Sequence, residues 1–336
     1  MKKRIVALAL TMSMVVAALV GCGSSTKETK AETKAETAAA GETTAEATGD
    51  AEYAVILKTQ ASDFWVKMWK GVEEKAAEMG IKVDIYAAQN EEDTEGQLAI
   101  LESCINKGYK GIAIAPLSAV NLVAGVAEAT EKGITIVDID EKFDMDELTK
   151  QGGAVVGFVT TDNIAVGAKG AQYIIDNVDA GSQVAVIEGK AGNASGEDRR
   201  DGATEAFKAA GLEVVGSLPA DWDRQKALDI AASYIQQNPD LKGIYCCNDT
   251  MALGALQAVV NADKLGEILV VGTDGDTEAV DSVNAGNLSA TVAQDPAGVG
   301  AKGLEMLVEA VKAGTKGEVG VIPEMTPVDS TLVVKE

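Results

Sequence analysis

From Tyr53 onward, short apolar runs alternate with longer stretches in which apolar residues recur at helical spacing. A short apolar run between turn residues predicts a buried strand, and the amphipathic stretches predict helices. The first series consists of strand 53–57, helix 64–79, strand 82–86, helix 93–106, strand 111–115, helix 120–131 and strand 134–138. Strands that alternate with helices in this way predict a parallel sheet with helices on both faces.

A second series of the same kind follows residues 152–161, in which a strand over 154–159 is predicted to lead from one series to the other. Its elements are strand 183–188, helix 197–210, strand 213–217, helix 223–237, strand 243–246, helix 250–260, strand 268–271, helix 277–285, strand 289–293, helix 297–313 and strand 331–334. We therefore predict an α/β fold with two doubly wound lobes, in which a ligand binds at the carboxyl ends of both sheets.

The first 22 residues have the organisation of a secretory signal. A basic start over residues 2–4 precedes the apolar run 5–20, which is shorter than the roughly 20 residues that cross a bilayer. The sequence Leu-Val-Gly-Cys that ends at Cys22 resembles the lipobox of bacterial lipoproteins, whose cysteine becomes the lipidated N-terminus. We expect a signal peptide over 1–22 and an extracytoplasmic protein that is anchored to the membrane only by lipid on Cys22. An ordinary signal peptide with an incidental Cys22 is the alternative.

Residues 23–52 repeat Lys, Ala, Glu and Thr, and they contain no aromatic and no large aliphatic residue. Such a segment buries too little apolar surface to offset the entropy of ordering it, which predicts a disordered tether. A local helix is the alternative, because Ala, Glu and Lys favour helices. The threonines, together with Gly41 and Gly49, disfavour that helix.

Composition excludes several classes of function. The 52 acidic and 29 basic residues argue against a nucleic-acid partner, because contacts to phosphates need a basic surface. The chain has no histidine, which removes Ser–His and Cys–His nucleophiles and histidine-based zinc sites. The acidic segment 138–146 lacks the glycine and terminal glutamate of a calcium loop. We therefore expect no metal, no cofactor and no catalytic residue, and we predict that Cys104, Cys246 and Cys247 are buried free thiols.

Polar and aromatic residues follow the predicted strands, at the edge where the two lobes would face each other. The candidates are Lys58, Ser62, Phe64, Trp65, Asp140, Arg199 or Arg200, Trp222, Asn248, Asp274 and Gln294. Aromatic rings pack on the apolar C–H face of a pyranose, and charged groups and amides match its hydroxyls, so the set predicts a sugar site. Taken singly, the aromatic pair is equally consistent with a core contact, and the aspartates and asparagine with helix caps or turns.

Several segments together resemble the ribose/galactose type of periplasmic binding protein, which serves ABC importers. They are Tyr53-Ala-Val-Ile-Leu-Lys-Thr, Lys110-Gly-Ile-Ala-Ile-Ala-Pro-Leu-Ser, Thr160-Thr-Asp-Asn, Gly189-Lys-Ala-Gly-Asn-Ala-Ser-Gly, Pro219-Ala-Asp-Trp-Asp-Arg, Asn248-Asp-Thr-Met-Ala and Val271-Gly-Thr-Asp-Gly. The resemblance implies a receptor rather than an enzyme, with two lobes that close over one monosaccharide and are recognised by an ABC permease. It also favours Arg199 over Arg200, because the family's arginine lies three residues before a glycine, here Gly202.

The resemblance also implies three connections between the lobes. They would lie near residues 159–160, 294–296 and 326–327. One lobe would then comprise residues 53–159 and 296–326, and the other 160–295 and 327–336.

The sequence departs from the family pattern at two positions near the expected site. Ser62-Asp63 stands where the family usually has Asn-Pro, and Glu141 stands where ribose receptors usually have arginine. Lys58 would restore a positive donor, as in the allose-binding members, so the resemblance favours D-allose or a similar pyranose over ribose.

Three other functions stay open at this point. A glycosidase would use Asp140 and Asp274 as an acid–base pair. A transcription-regulator core of the related fold would need a helix-turn-helix head, where this chain has the signal and the tether. A receptor that presents a sugar or an autoinducer-like signal to a chemosensor is compatible with transport.

Overall fold

The structure, a computed structural model, describes residues 50–335. The predicted signal peptide, Cys22 and nearly all of the predicted tether lie outside the described residues. None of the helices between residues 50 and 335 combines the length with the hydropathy of a membrane-spanning segment.

Twelve strands and ten helices follow one another in the described chain. The first nine elements are β1 (Tyr53–Leu57), α1 (Asp63–Met79), β2 (Val83–Ala87), α2 (Thr94–Lys107), β3 (Gly111–Ile114), α3 (Val123–Glu131), β4 (Thr135–Ile139), α4 (Met145–Lys150) and β5 (Phe158–Thr161). The next ten are α5 (Asn163–Ile175), β6 (Gln183–Glu188), α6 (Ala194–Ala209), β7 (Glu213–Pro219), α7 (Arg224–Gln237), β8 (Leu241–Cys246), α8 (Asp249–Asn261), β9 (Leu269–Asp274), α9 (Thr277–Ala285) and β10 (Ala290–Ala293). The last three are α10 (Pro296–Ala313), β11 (Met325–Val328) and β12 (Thr331–Val334).

The strands form two six-stranded sheets with the orders β11-β5-β4-β3-β1-β2 and β12-β10-β9-β8-β6-β7. Among the strands of the described chain, every pair is parallel except the pair of β10 with β12. We call the first sheet with α1–α4 and α10 the first lobe, and the second sheet with α5–α9 the second lobe. The predicted α/β class with two parallel sheets is confirmed.

The chain passes between the two sheets at three places. β5 belongs to the first sheet and α5 packs on α6, so the first connection follows Thr161. The second lies at residues 294–295, because α10 returns to pack on α1. The third lies at residues 329–330, whereas residues 326–327 were predicted. Pro327 pairs within the first sheet because β11 is an edge strand, where proline is tolerated.

The apolar pattern gave no helix over α4 or α5. The helix α5 contains Gly167 and Gly170, and glycine lowers helix propensity by about 1 kcal/mol per residue. These glycines serve packing instead, because a Cβ atom at Gly167 would lie 2.0 Å from the carbonyl oxygen of Arg199. Close contact between α5 and α6 therefore overrides the local propensity and fixes the helix that carries Arg199.

Most helices begin at a residue whose side chain accepts a backbone N–H from the first turn, which satisfies a donor that has no partner within the helix. These N-cap residues are Asp93, Asp144, Asp162, Asp223, Asn248 and Asp295. Four helices lack such a bond: α1, α3, α6 and α9, whose N-cap residues are Ser62, Leu122, Asn193 and Asp276.

Each lobe has its own apolar core. One large cluster lies around the second sheet, and two clusters lie on the first sheet. Cys104, Cys246 and Cys247 are buried in these clusters and are free thiols, as predicted.

Candidate functional site

A cavity of about 210 Å³ lies between the lobes, at the carboxyl ends of both sheets. It is smaller than the roughly 300–1,000 Å³ of sites for drug-sized ligands, so it suits one compact molecule. Its walls are formed by Lys58, Thr59, Ala61, Ser62, Phe64, Trp65, Glu91, Asp140, Ser195, Arg199, Trp222, Asn248, Thr250 and Asp274. The structure thus brings together every predicted site residue except Gln294. The side chain of Gln294 does not line the cavity but donates a hydrogen bond to Asp274, which does.

Lys58 is the positive group of the first lobe. It follows β1, and its side chain is buried between two carboxylates, with Nζ 3.2 Å from Oε2 of Glu141 and 3.7 Å from Oδ2 of Asp140. Burial alone would lower the pKa of Lys58, but the two carboxylates outweigh it and raise the pKa above its ordinary value. Lys58 therefore faces the cavity as a charged donor.

Asp140 is held in a left-handed backbone conformation, with φ at 65°, directly after β4. Its N–H donates to the carbonyl oxygen of Val159 at 2.8 Å, and its carbonyl oxygen accepts a hydrogen bond from the Thr160 hydroxyl at 2.7 Å. These bonds aim the side chain into the cavity. Burial raises the pKa of Asp140 to about 6, against the opposing effect of Lys58.

Arg199 is the positive group of the second lobe. Its Nε donates to Oδ1 of Asn163 at 2.9 Å, and its Nη1 donates to the carbonyl oxygen of Cys247 at 2.8 Å and to Oδ1 of Asp274 at 3.3 Å. Arg200 instead pairs with Asp201 near the surface. The structure therefore places Arg199, and not Arg200, in the cavity wall.

Asp274 ends β9 with φ at 122°, a conformation that strains a residue with a side chain. Its Oδ1 accepts hydrogen bonds from Arg199 and, at 2.6 Å, from Nε2 of Gln294. Burial raises the pKa of Asp274 to about 7, and Arg199 acts in the opposite direction. Gln294 thus contributes to the site by holding Asp274 in place.

A further buried carboxylate supports the turn after Asp274. Asp249, at the start of α8, has no exposed surface. Its Oδ2 accepts the backbone N–H of Asp276 at 2.8 Å, and its Oδ1 accepts the Thr291 hydroxyl at 2.7 Å. The neighbouring N-cap residue Asn248 caps α8 through Met251 and also lines the cavity.

Aromatic rings enter the cavity from both lobes. Phe64 and Trp65 meet edge to face with centroids 5.0 Å apart, and the Trp65 indole N–H donates to Oε1 of Glu91 at 2.9 Å. Trp222 has φ at 63°, and its ring lies close to the backbone of Gly189. A Cβ atom at Gly189 would lie 2.0 Å from the Trp222 ring, so only glycine allows this position.

Sequence reasoning missed five residues of the wall: Thr59, Ala61, Glu91, Ser195 and Thr250. Thr59, Ala61 and Thr250 are neighbours of predicted residues, so a wider window around each strand end includes them. Glu91 lies in the loop after β2, where the order Glu-Glu-Asp indicates only a solvated turn. Ser195 lies in the glycine-rich segment that was interpreted as a loop before a helix starting at 197, whereas α6 begins at Ala194.

Within residues 50–335, no group of three or more Cys, Asp or Glu side chains is arranged to hold a metal ion. The wall instead combines two cations, two carboxylates that lie beside them, and three aromatic rings. Such a wall can donate and accept several hydrogen bonds at once and can cover the apolar faces of a flat ring.

Comparison with known proteins gives the chain's relatives. The model of the periplasmic binding protein domain family matches residues 53–316. The D-allose-binding periplasmic protein of Escherichia coli strain K12 is 58% identical over 287 residues, which are 85% of this chain and 92% of that protein. The ribose import binding protein of the same strain is 32% identical over 283 residues, or 84% and 90% of the two chains.

Solved structures agree with these sequence relationships. A periplasmic solute binding protein of an ABC transporter from Actinobacillus succinogenes, with bound D-allose, has a TM-score of 0.78 and 29% identity, covering 85% of this chain and 98% of that chain. A solute binding protein from Agrobacterium vitis with bound D-fucose has a TM-score of 0.74 and 28% identity, covering 84% and 95%. On the family match and the identity with its relatives, the chain belongs to the family of periplasmic binding proteins.

Proposed function

We propose that this chain is the sugar-binding protein of an ABC importer, and that its ligand is D-allose or a similar pyranose. The observation that carries the proposal is the composition of the cavity wall. Aromatic rings from opposite lobes and four buried charged side chains surround one compact space. The names of the two relatives, an allose-binding protein and a ribose import binding protein, support a monosaccharide. The function is capture and delivery, and not catalysis.

In this proposal, the rings cover the two faces of the sugar and the charged groups bind its hydroxyls. Phe64 and Trp65 supply the ring contacts of the first lobe, and Trp222 supplies that of the second. The ligand hydrogen bonds come from Lys58, Ser62, Asp140, Arg199, Asn248 and Asp274, and Gln294 supports Asp274 from behind the wall. Hydrogen bonds to charged groups are about twice as strong as neutral ones, which favours a hydroxyl-rich ligand over an apolar one.

The preference for allose over ribose depends on Lys58 and Glu141. Glu141 occupies the place in which ribose receptors usually have arginine, and it pairs with Lys58 at 3.2 Å. The positive charge therefore reaches the cavity from β1 rather than from the end of β4. A positive donor that reaches the cavity from β1 meets other hydroxyls of a sugar than a donor that reaches it from β4. The identity of 58% with an allose-binding protein supports the same preference.

Delivery would depend on closure of the lobes about the three connections. A sugar that contacts only one lobe in the open form contacts both when the cleft closes, so it shifts the equilibrium towards the closed form. The permease of the importer would then recognise surfaces that only the closed lobes bring together. Binding of the sugar and recognition by the permease are thus coupled through closure of the cleft.

Calorimetric titration with D-allose, D-ribose, D-galactose, D-glucose and D-xylose tests the ligand. We expect one molecule of D-allose to bind per chain, more tightly than the other sugars.

Trp222→Ala should weaken the binding of D-allose by at least about 30-fold, or about 2 kcal/mol, because a central aromatic contact is lost. Trp222→Phe should retain most of the affinity, because it keeps a ring on the sugar face.

Glu131→Ala is the matched control, because Glu131 ends α3 on the surface and should leave the affinity unchanged. Equal affinities of the Trp222→Ala and Glu131→Ala variants would contradict the assigned site. Tighter binding of D-ribose than of D-allose would contradict the ligand preference, and no binding of any sugar would contradict the function.

The raised pKa values of Asp140 and Asp274 predict a pH dependence of stability in the absence of sugar. Both carboxyls bind protons more tightly in the folded chain than in the unfolded chain, with pKa values of about 6 and about 7. The free energy of unfolding should therefore fall as the pH rises from about 4 to about 7. The double variant Asp140→Asn, Asp274→Asn should show a shallower fall in urea unfolding, and Asp146→Asn, an exposed control, should not. Identical slopes of the wild type and the double variant would overturn the prediction.

We also propose that the mature protein is anchored by lipid on Cys22, on the basis of the Leu-Val-Gly-Cys sequence. Mass spectrometry of the N-terminal peptide, after expression in a bacterium that processes lipoproteins, should show Cys22 as the acylated first residue. Cys22→Ser should release the protein from the membrane fraction. An unmodified peptide from the wild type would contradict the anchor.

A further inference from the structure

Two carboxylates of the first lobe cap two helices of the second lobe. Glu141, which follows β4, accepts the backbone N–H of Ala194 at 2.5 Å and that of Ser195 at 3.4 Å through Oε1. Its Oε2 accepts the Ser195 hydroxyl at 2.9 Å. Ala194 and Ser195 are the first residues of α6. The first turn of this helix therefore finds its acceptor on the opposite side of the cleft.

The same arrangement occurs at α9. Oδ2 of Asp63, the first residue of α1, accepts the backbone N–H of Thr277 at 3.2 Å and the Thr277 hydroxyl at 2.8 Å. Thr277 is the first residue of α9. Lys67, one turn further along α1, donates to the carbonyl oxygen of Gly275 at 3.0 Å. A second helix start in the second lobe is thus satisfied by the first lobe.

The N-cap residues of α6 and α9 do not accept the N–H groups of their own helices. Asn193 directs its side chain elsewhere: Nδ2 donates to the carbonyl oxygen of Leu117 at 3.1 Å, and Oδ1 accepts the Trp222 indole N–H at 3.3 Å. Asp276 makes no cap bond from its side chain. By contrast, the N-cap residues of α7 and α8, in the same lobe, cap their own helices.

Each cross-lobe cap is joined to a charged group of the cavity. Glu141 has no exposed surface and also accepts a hydrogen bond from Lys58 at 3.2 Å, while the helix that it caps carries Arg199. Asp63 caps the helix that follows Asp274. In the arrangement that the structure shows, the same approach of the two lobes therefore forms both the caps and the cavity wall.

We propose that Glu141 and Asp63 are positioning residues, which hold the lobes in the ligand-binding arrangement by capping α6 and α9 across the cleft. A helix N-terminus has unpaired N–H groups and a partial positive charge, and a carboxylate stabilises both. When the lobes are apart, water takes the place of the carboxylates. The caps thus favour the closed cleft without contact to the ligand, and the proposal rests on the proposed function for the identity of that ligand and for the closure of the lobes.

Stopped-flow measurement of D-allose binding separates the caps from the ligand contacts. Loss of a cap typically costs about 1 kcal/mol, so Asp63→Ala should raise the dissociation rate about fivefold and change the association rate little. Glu141→Ala should have a larger effect, of about 30-fold or more, because Lys58 also loses a buried partner. Asp63→Asn and Glu141→Gln retain an oxygen acceptor and should restore part of the loss.

Asp144→Ala is the matched control. Asp144 is an exposed aspartate that caps its own helix α4 by accepting the N–H of Glu147 at 2.9 Å. Its removal should lower thermal stability and leave the dissociation rate of the sugar unchanged. A wild-type dissociation rate in Asp63→Ala, an exposed position whose substitution leaves the core intact, would overturn the proposal.

Hydrogen exchange of single amides, followed by NMR, tests the caps independently of the sugar's identity. The amides of Ala194 and Thr277 should be protected in the wild type saturated with D-allose, and Asp63→Ala should lose the protection of Thr277 alone. If D-allose does not bind, the ligand alone is refuted, and the same amides are measured with the chain saturated by whichever of the other titrated sugars binds. Slower exchange of Thr277 in that complex than in Asp63→Ala would support the caps, and equally fast exchange would overturn them.

Discussion

Four charged side chains in the cleft are almost completely removed from water: Lys58, Asp140, Arg199 and Asp274 are between 3% and 8% exposed. A buried charge without a partner is strongly destabilising, so each of these groups must meet an opposite charge or several hydrogen bonds. Lys58 lies between Asp140 and Glu141, and Arg199 bonds to Asp274, to Asn163 and to a backbone carbonyl. The strands, helices and turns around the cleft hold these side chains and their partners in position.

Parallel sheets supply the framework for this pairing, because they bring the ends of several strands to one edge. Lys58 and Asp140 directly follow a strand, Asp274 is the last residue of β9, and Arg199 lies on α6, which follows β6. Asp140 and Asp274 leave their strands with positive φ, and the bonds of Thr160, Gln294 and the turn held by Asp249 maintain these conformations. Backbone strain of this kind persists only where the surroundings determine it. Among residues 50–335, three of the five non-glycine residues with positive φ, Asp140, Trp222 and Asp274, line the cavity.

The sequence pattern was sufficient for the α/β class, for two parallel sheets and for the carboxyl-end location of the polar residues. It failed where tertiary contacts override local propensity. Gly167 argues against a helix in isolation, but it lets α5 approach the backbone of α6. The resemblance places a connection near residues 326–327, but Pro327 lies in an edge strand of the first sheet. The role of Glu141 was not visible, because its partners Ala194 and Ser195 come from the other lobe.

The central claim is that one pyranose is enclosed by the two lobes, between aromatic rings and buried charges. A crystal structure of the protein grown with D-allose tests this claim most directly. We predict a single sugar ring in the cavity between Trp65 and Trp222, with hydroxyls bonded to Lys58, Asp140, Arg199 and Asp274. A sugar bound elsewhere, or a closed cleft that D-allose does not enter, would contradict the account.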